Sequence, residues 1–167
     1  GKKLIIGEYV SANESHLYLF DTETKKLESI TDRNEKQIVQ GSAKFAKNPD
    51  EIWYVTDRDN EFDRLATLNL KTKKISYFTS AIPWEVSGYT LSKDKSKIAF
   101  ETNESGLNKL YLMDTNSKKY SEIKGLPVGL VNNFDFTDDG KSLFFSQSTY
   151  DSSADIYRLD LASGKIE

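Results

Sequence analysis

The sequence is poor in the residues that most catalytic sites require. Its 167 residues contain no cysteine and a single histidine, His16. The absence of cysteine excludes disulfides, thiolate metal sites and a cysteine nucleophile. Histidine pairs for metal binding are excluded by count, and no G-x-S-x-G, G-x-x-x-x-G-K-[ST] or G-x-G-x-x-G motif occurs. The sequence therefore predicts no catalytic residue, no metal site and no cofactor in this chain.

Charge and hydropathy exclude further classes of partner. The 23 basic and 26 acidic residues give a formal net charge of −3, which offers no strong attraction to nucleic acid or to an anionic membrane. No run approaches the roughly 20 apolar residues that cross a bilayer. The opening GKKLIIGEYV is too short and too polar for a signal peptide, so any such segment is expected upstream of Gly1. Neither nucleic acid nor a membrane is a predicted partner.

The chain is rich in aromatic side chains and in internal repetition. Two Trp, nine Tyr and nine Phe can build a core from few positions, because each ring buries a large area. Four similar phrases end on residues that lie 48, 45 and 46 positions apart: Asp21, Asn69, Asp114 and Asp160. A second set of anchors, the starts of four apolar segments, has spacings of 48, 46 and 45: Leu4, Ile52, Ile98 and Leu143. Two independent anchors with one period indicate a structural repeat.

Each repeat is predicted to hold four short antiparallel strands. An apolar run such as IWYV is followed by an alternating segment such as RLATLNL, a polar turn such as KTKK and an outer strand. A further strand precedes the apolar run, as in AKFA from Ala43. Four strands in about 45 residues are typical of a β-propeller blade. The predicted fold class is therefore all-β, a partial β-propeller of four-stranded antiparallel blades.

The repeat divides the chain into about four blades, the first and last of them incomplete. They are expected over residues 3–31, 42–80, 87–126 and 131–167. Blades bury their faces against neighbours in a closed ring, so the chain is interpreted as a single partial propeller, cut from a larger one. Its open blade edges could support self-association, and a symmetric pair of half-propellers is the alternative.

Two features that resemble chemical sites have simpler interpretations. His16 begins a strand, and Lys109 and Asp155 replace it in later repeats, so a solvated strand edge is expected. The acidic stretch DRDNEFD, residues 57–63, opens like a calcium loop. However, Phe62 stands where such loops need glycine, and the bidentate glutamate is missing from its place. A solvated loop between two strands is predicted there.

Three runs are more specific than a generic propeller. They are EF-x-RLA at residues 61–66, I-P-W-[DE]-V-x-G-[YF] at 82–89 and ETNE-x-G-x-x-KLYL-x-D at 101–114. These runs resemble the N-terminal propeller of bacterial serine peptidases of the prolyl oligopeptidase family, the acyl- and dipeptidyl-aminopeptidase-like members. LPVG at 126–129 and a DIY-x-LDL run near the end extend the resemblance over most of the chain. The later part is shared more loosely with TolB-like propellers.

The resemblance implies a role without chemistry. In that family the propeller precedes an α/β-hydrolase domain, covers its active site and filters peptides by size. This chain would be that lid, not catalytic by itself, while its parent protein would be a serine peptidase, a hydrolase. The implied partners are the α/β-hydrolase domain of the same parent chain, which is absent here, and a peptide substrate. The resemblance leaves both the bacterial cytoplasm and the periplasm open as compartments.

Four residues are candidates for a partner-facing surface. Asp59, Glu61 and Arg64 are dense in charge and lie in the best-matching stretch, so they are expected to face the hydrolase domain or a charged peptide terminus. Trp84 lies in the link between blades two and three and has no counterpart in the other repeats. It is predicted to make a surface contact, with packing at the rim as the alternative.

A second function of a different class stays open. The chain could belong to a non-enzymatic TolB-like propeller that acts as a protein-interaction platform. The two functions differ in the sequence expected beyond Glu167, because a peptidase requires further blades, then a G-x-S-x-G motif and a late histidine.

Overall fold

Strands and turns account for the whole of the computed structural model, which describes residues 2–167 and has no helix in that range. Its strands form four antiparallel sheets, two of four strands and two of three. The predicted fold class, a partial all-β propeller with incomplete first and last blades, is confirmed. No helix that is long and apolar enough to cross a membrane occurs among the described residues.

The first compact unit, Gly1–Pro83, contains two sheets, which we term blade one and blade two. Blade one has the strand order β1-β2-β3, with β1 at Lys3–Ser11, β2 at Glu14–Asp21 and β3 at Leu27–Ser29. Blade two has the order β4-β5-β6-β7, with β4 at Gln40–Phe45, β5 at Glu51–Thr56, β6 at Arg64–Asn69 and β7 at Ile75–Tyr77. Buried aliphatic side chains of both blades form one core cluster, which includes Leu17, Leu19, Ile52 and Leu68.

The second compact unit, Trp84–Glu167, contains blade three and blade four. Blade three comprises β8 at Glu85–Leu91, β9 at Lys97–Glu104, β10 at Leu107–Asp114 and β11 at Tyr120–Glu122. Blade four comprises β12 at Leu130–Phe136, β13 at Ser142–Ser148 and β14 at Asp155–Asp160. Past β14, Ile166 forms an isolated bridge with Leu159. A second core cluster joins these two blades and includes Ala99, Leu110, Leu143 and Phe145.

The residues that reveal the period in the sequence also build the same turn in every blade. After β2, β6, β10 and β14, one side-chain oxygen accepts hydrogen bonds from the two backbone N–H groups two and three residues ahead. The four residues with this role are Asp21, Asn69, Asp114 and Asp160. In the three aspartates these bonds lower the pKa of the carboxyl group, because they stabilise its charged form. Asn69 makes the same two hydrogen bonds through its amide oxygen, because the turn requires an acceptor and not a charge.

A bulge recurs at one place in the first strands of blades two, three and four. The register shifts between Gly41 and Lys44, between Val86 and Gly88, and between Val131 and Asn133. The first residues of the three shifts lie 45 positions apart. A bulge increases the local twist of a strand, so the repeat preserves the twist of each blade as well as its strand pairing.

His16 is buried, with 2% of its surface exposed, so the prediction of a solvated strand edge is wrong. Its Nε2 hydrogen-bonds the Glu14 carboxylate at 3.1 Å, and Glu14 also accepts from Lys36 Nζ at 3.1 Å. Lys36 belongs to the segment between β3 and β4, which bonds to β2 through Ser15 N and Ile38 O. The residues at the matching positions of later blades, Lys109 and Asp155, do not predict the burial of His16. The segment that covers it lies between blades one and two and has no counterpart there.

The turn between the first and second strands requires a left-handed residue in blades three and four. Lys95 and Gly140 have φ of 60° and 66°, and their N–H groups donate to Ser92 O and Thr137 O, each at 2.8 Å. A side chain in this region costs about 1–2 kcal/mol, from which glycine is exempt. A Cβ added at Gly140 would meet no atom within 4 Å, so the cost of adding one there is that of the backbone alone.

We expect Gly140→Ala to lower the free energy of unfolding by about 1 kcal/mol, because alanine is strained at positive φ. Gly7→Ala is the matched control, since Gly7 lies in β1 without a positive φ and its Cβ would also meet nothing within 4 Å. The control should be neutral or stabilising by up to about 1 kcal/mol. Urea denaturation measures both, and equal effects of the two substitutions would refute the role assigned to the turn.

Candidate functional site

The predicted partner-facing loop, residues 57–63, joins β5 to β6 and is fixed by the segment between β3 and β4. Asp57 Oδ1 accepts a hydrogen bond from Val39 N at 2.8 Å. Arg58 binds the Glu35 carboxylate through both terminal nitrogens, with Nη1 to Oε1 at 2.5 Å. This two-pronged contact raises the pKa of the Arg58 guanidinium and gives the pair a defined orientation. The start of the loop is therefore attached to the neighbouring segment.

Arg64 fixes the other end of the loop. The residue is buried, and its Cζ lies 4.0 Å from the centroid of the Tyr77 ring. Nη1 donates to Ser80 Oγ at 3.3 Å, and Nη2 donates to the backbone carbonyl of Arg58. A guanidinium that is stacked on a ring and bonded to the loop backbone holds the loop in place. Arg64 is thus a positioning residue for the loop.

Asp59 and Glu61 are the exposed charges of this loop. Asp59 has a φ of 58°, and its Oδ2 accepts a hydrogen bond from the Tyr77 hydroxyl at 3.3 Å. Burial raises the pKa of Tyr77, and the negative charge of Asp59 raises it further. Tyr77 therefore contacts both Asp59 and Arg64 and brings these two candidates together.

Trp84 belongs to the second compact unit, whereas the other three candidates belong to the first. It is the first residue of its unit, directly before β8, and it is half-buried. Within the described residues no group of three or more His, Cys, Asp or Glu is placed to hold a metal ion. The loop presents two exposed carboxylates on a backbone that is held by hydrogen bonds and an ion pair. This arrangement suits the binding of a positively charged group.

Sequence reasoning missed the residues that support the loop. Glu35 lies in a charged segment without a repeat counterpart, and Tyr77 belongs to a short outer strand. The sequence held one signal of this support: charges of alternating sign in DRNEK, residues 32–36. Three of these residues form ion pairs with strands or loops of the same unit: Arg33, Glu35 and Lys36. The partners themselves are distant in sequence and are decided by the fold.

Glu101 is a second residue that the sequence did not single out. It lies half-buried in β9, opposite Gly88 of β8, and its Oε2 accepts from Asn108 Nδ2 at 3.2 Å. Burial raises the pKa of the Glu101 carboxyl group to about 7. A Cβ added at Gly88 would lie 3.7 Å from Glu101 Oε1, an ordinary van der Waals distance, so the carboxylate lies beside this strand.

Solved structures share this fold, while no protein-family model and no curated protein sequence matches the chain. A prolyl endopeptidase aligns with 100% of this chain and 24% of its own, with a TM-score of 0.84 and 13% identity. A puromycin-hydrolyzing peptidase from Mycobacterium tuberculosis aligns with 99% of this chain and 26% of its own, with a TM-score of 0.77 and 11% identity.

TolB from Acinetobacter baumannii aligns with 93% of this chain and 37% of its own, with a TM-score of 0.70 and 20% identity. The resemblance to peptidase and TolB-like propellers is therefore confirmed for the fold. The chain spans between about a quarter and somewhat over a third of the lengths of these three proteins.

We expect Arg64→Met to lower the free energy of unfolding by about 1–3 kcal/mol, because it removes the guanidinium from Tyr77, Ser80 and the Arg58 carbonyl. Arg33→Met is the matched control, since the Arg33 side chain is 62% exposed and lies 3.7 Å from Glu8. The control should cost less than about 1 kcal/mol. Urea denaturation of both variants is the measurement, and a similar loss in each would rule out the positioning role of Arg64.

We expect the stability of the chain to fall as the pH rises through the interval from about 4.5 to about 7 on account of Glu101. The folded state binds this proton more tightly than the unfolded chain does, so deprotonation favours unfolding. Glu101→Gln keeps the shape and the acceptor for Asn108. The variant should match the wild type near pH 4. Near pH 8 it should exceed it by about 1–3 kcal/mol, a range lowered for the solvent that screens this partly exposed group. A stability difference that does not change with pH would contradict this.

Proposed function

We propose that this chain is part of the propeller of a prolyl oligopeptidase family serine peptidase, where it acts as a lid and filters peptide substrates by size. The observation that carries the proposal is the alignment of the whole chain with a prolyl endopeptidase at a TM-score of 0.84. The sequence runs at residues 61–66, 82–89 and 101–114, which resemble the same family, add support from a different kind of comparison.

The loop of residues 57–63 supplies a physical basis for substrate selection. Asp59 and Glu61 present two negative charges on a backbone fixed by the Glu35–Arg58 pair and by the contacts of Arg64. Such charges attract the positive amino terminus of a short peptide and repel its carboxylate. At physiological salt this influence extends about 8 Å, so it acts on peptides that pass close to the loop. In this proposal Asp59 and Glu61 face the substrate, and Arg64 holds them in position.

A TolB-like interaction platform is the second candidate. The observation that supports it is the similarity to TolB from Acinetobacter baumannii, at 20% identity. In that case the exposed loop carboxylates and Trp84 would contact a protein partner, and no hydrolase domain would be attached. The proposal and this alternative differ in the parent protein, which is where they can be separated.

The test uses the full-length parent protein with peptides that differ only in a free or acetylated amino terminus. We expect the double substitution Asp59→Asn and Glu61→Gln to lower kcat/KM about 3–10-fold for free-amine peptides, as expected for the loss of a weak charge interaction. Acetylated peptides should change less than about twofold. Glu23→Gln, in an exposed turn of blade one, removes a carboxylate away from the loop and serves as the control.

Three results would count against the proposal in different ways. A parent sequence without a G-x-S-x-G motif and a late histidine after Glu167 would exclude the peptidase and favour the platform. An active peptidase whose double variant is unchanged for both peptides would exclude the loop as a selectivity element. An equal loss for free and acetylated peptides would show that the loop supports the domain without sensing the terminus.

A further inference from the structure

A cavity of about 400 Å³ lies between blades one and two of the first unit. We term it the inter-blade cavity. One part of its lining is apolar and the other part is polar, and the six residues that matter here are Ile30, Leu68, Ile75, Gln40, Tyr54 and Arg58. Its volume falls in the range of about 300–1,000 Å³ that is usual for small-molecule sites. The cavity is separate from the exposed tip of the loop at Asp59 and Glu61.

The repeat explains why blade two has a cavity on this face. In blade three the corresponding face holds three packed rings: Phe100 stacks on Tyr111 at 4.9 Å, and Tyr120 meets both at 5.5 and 6.0 Å. The strand registers match these residues with Tyr54, Ala66 and Ile75 of blade two. Two rings are thus replaced by smaller aliphatic side chains, which fill less of the space over the remaining ring.

The ring that remains is the one that carries a hydroxyl group. Blades three and four have Phe100 and Phe145 at this position, and blade two has Tyr54. Tyr54 is 0% exposed, and its hydroxyl has no hydrogen-bond partner among residues 2–167. A buried hydroxyl without a hydrogen bond is unfavourable. Compared with the phenylalanines of blades three and four, blade two thus carries a hydroxyl that no described residue binds.

Two further polar atoms of the lining are also buried without a hydrogen-bond partner among the described residues. Gln40 is 2% exposed, and its Nε2 is directed to Ser15 O at 3.5 Å, while its Oε1 has no partner in the described residues. The Nε–H of Arg58 likewise has none, because Glu35 takes only the two terminal nitrogens. The cavity lining therefore offers one free acceptor, one free donor, and a hydroxyl that can do either.

The formal charges of the lining sum to zero. Two acidic and two basic residues contribute: Asp32, Glu35, Arg58 and Lys73. Glu35 and Arg58 pair with each other, Asp32 accepts from Asn34, and Lys73 Nζ donates to Ile30 O at 3.4 Å. Asp32 and Lys73 bond to neutral groups, but they are opposite in sign, so the lining carries no net charge to offset the hydration that a charged ligand would lose. The chemistry of the site therefore selects a neutral ligand.

We propose that the inter-blade cavity binds a small neutral molecule that carries a hydroxyl group on an apolar body of about the size of a phenol. Its body lies against Ile30, Leu68 and Ile75. Its hydroxyl donates to Gln40 Oε1 and accepts from the Tyr54 hydroxyl, which pairs two of the unsatisfied atoms at once. The inference rests on the cavity alone and holds whether or not the parent protein is a peptidase.

The test compares p-cresol with toluene, which differ by the hydroxyl group, in a titration of the isotopically labelled chain followed by NMR. We expect saturable shifts of amide signals near Tyr54, Gln40 and Ile75. We also expect a Kd for p-cresol at least fivefold lower than that for toluene. Tyr54→Phe should raise the Kd for p-cresol at least threefold and leave that for toluene within a factor of two. This variant should fold, since Phe100 and Phe145 occupy the same position in other blades.

A second variant tests the cavity itself. Ile75→Tyr introduces the side chain found at the matching position of blade three, Tyr120, and should abolish the binding of both probes while the melting temperature is unchanged or higher. Equal affinities for p-cresol and toluene would overturn the proposal. So would the absence of saturable shifts, shifts confined to other parts of the chain, or a crystal soaked in p-cresol that shows only ordered water at Tyr54 and Gln40.

Discussion

A propeller blade cannot bury both of its faces by itself, and the rest of this structure depends on that constraint. Each sheet here has apolar side chains on two faces, and each compact unit joins two blades through one shared core. Burial of apolar area on neighbouring sheets is the main source of stability in such repeats. The period of 45–48 residues results from it, because each repeat must present the same strands and turns to the next.

The constraint leaves room for variation where one blade meets another. The turn that follows β2, β6, β10 and β14 recurs in all four blades with a side-chain oxygen as acceptor. The inter-blade faces vary more: blade three packs three rings where blade two has Tyr54, Ala66 and Ile75. Positions that depart from the repeat are therefore where a repeat protein can acquire a site without a change of fold. Blade two has departed from it on the inter-blade face and in the braced loop of residues 57–63.

The described part of the chain departs from the repeat in two features: a loop held by Arg58 and Arg64, and a cavity lined by Tyr54 and Gln40. The comparisons establish the fold, since identities of 11–20% to solved structures do not carry activity across. The proposed role as a lid draws on the three motifs as well, which lie at the end of the loop after β5, at the link into β8, and in β9 and β10. The chain covers 24–37% of the length of the three matched proteins, so most of each of those proteins has no counterpart in it.

The sequence by itself determined the class of fold, the period, and the strand and turn types, because these depend on local patterns: alternation of apolar residues, turn residues, and spacing. It also placed Asp59 and Glu61 in an exposed loop. Only the tertiary structure decided which residues support that loop, that Arg64 and His16 are buried, and that Tyr54 and Gln40 line one cavity. These features arise from segments that lie far apart in the sequence and differ between blades. Local pattern and repeat homology cannot predict them, since the neighbours that bury a side chain are set by packing between blades.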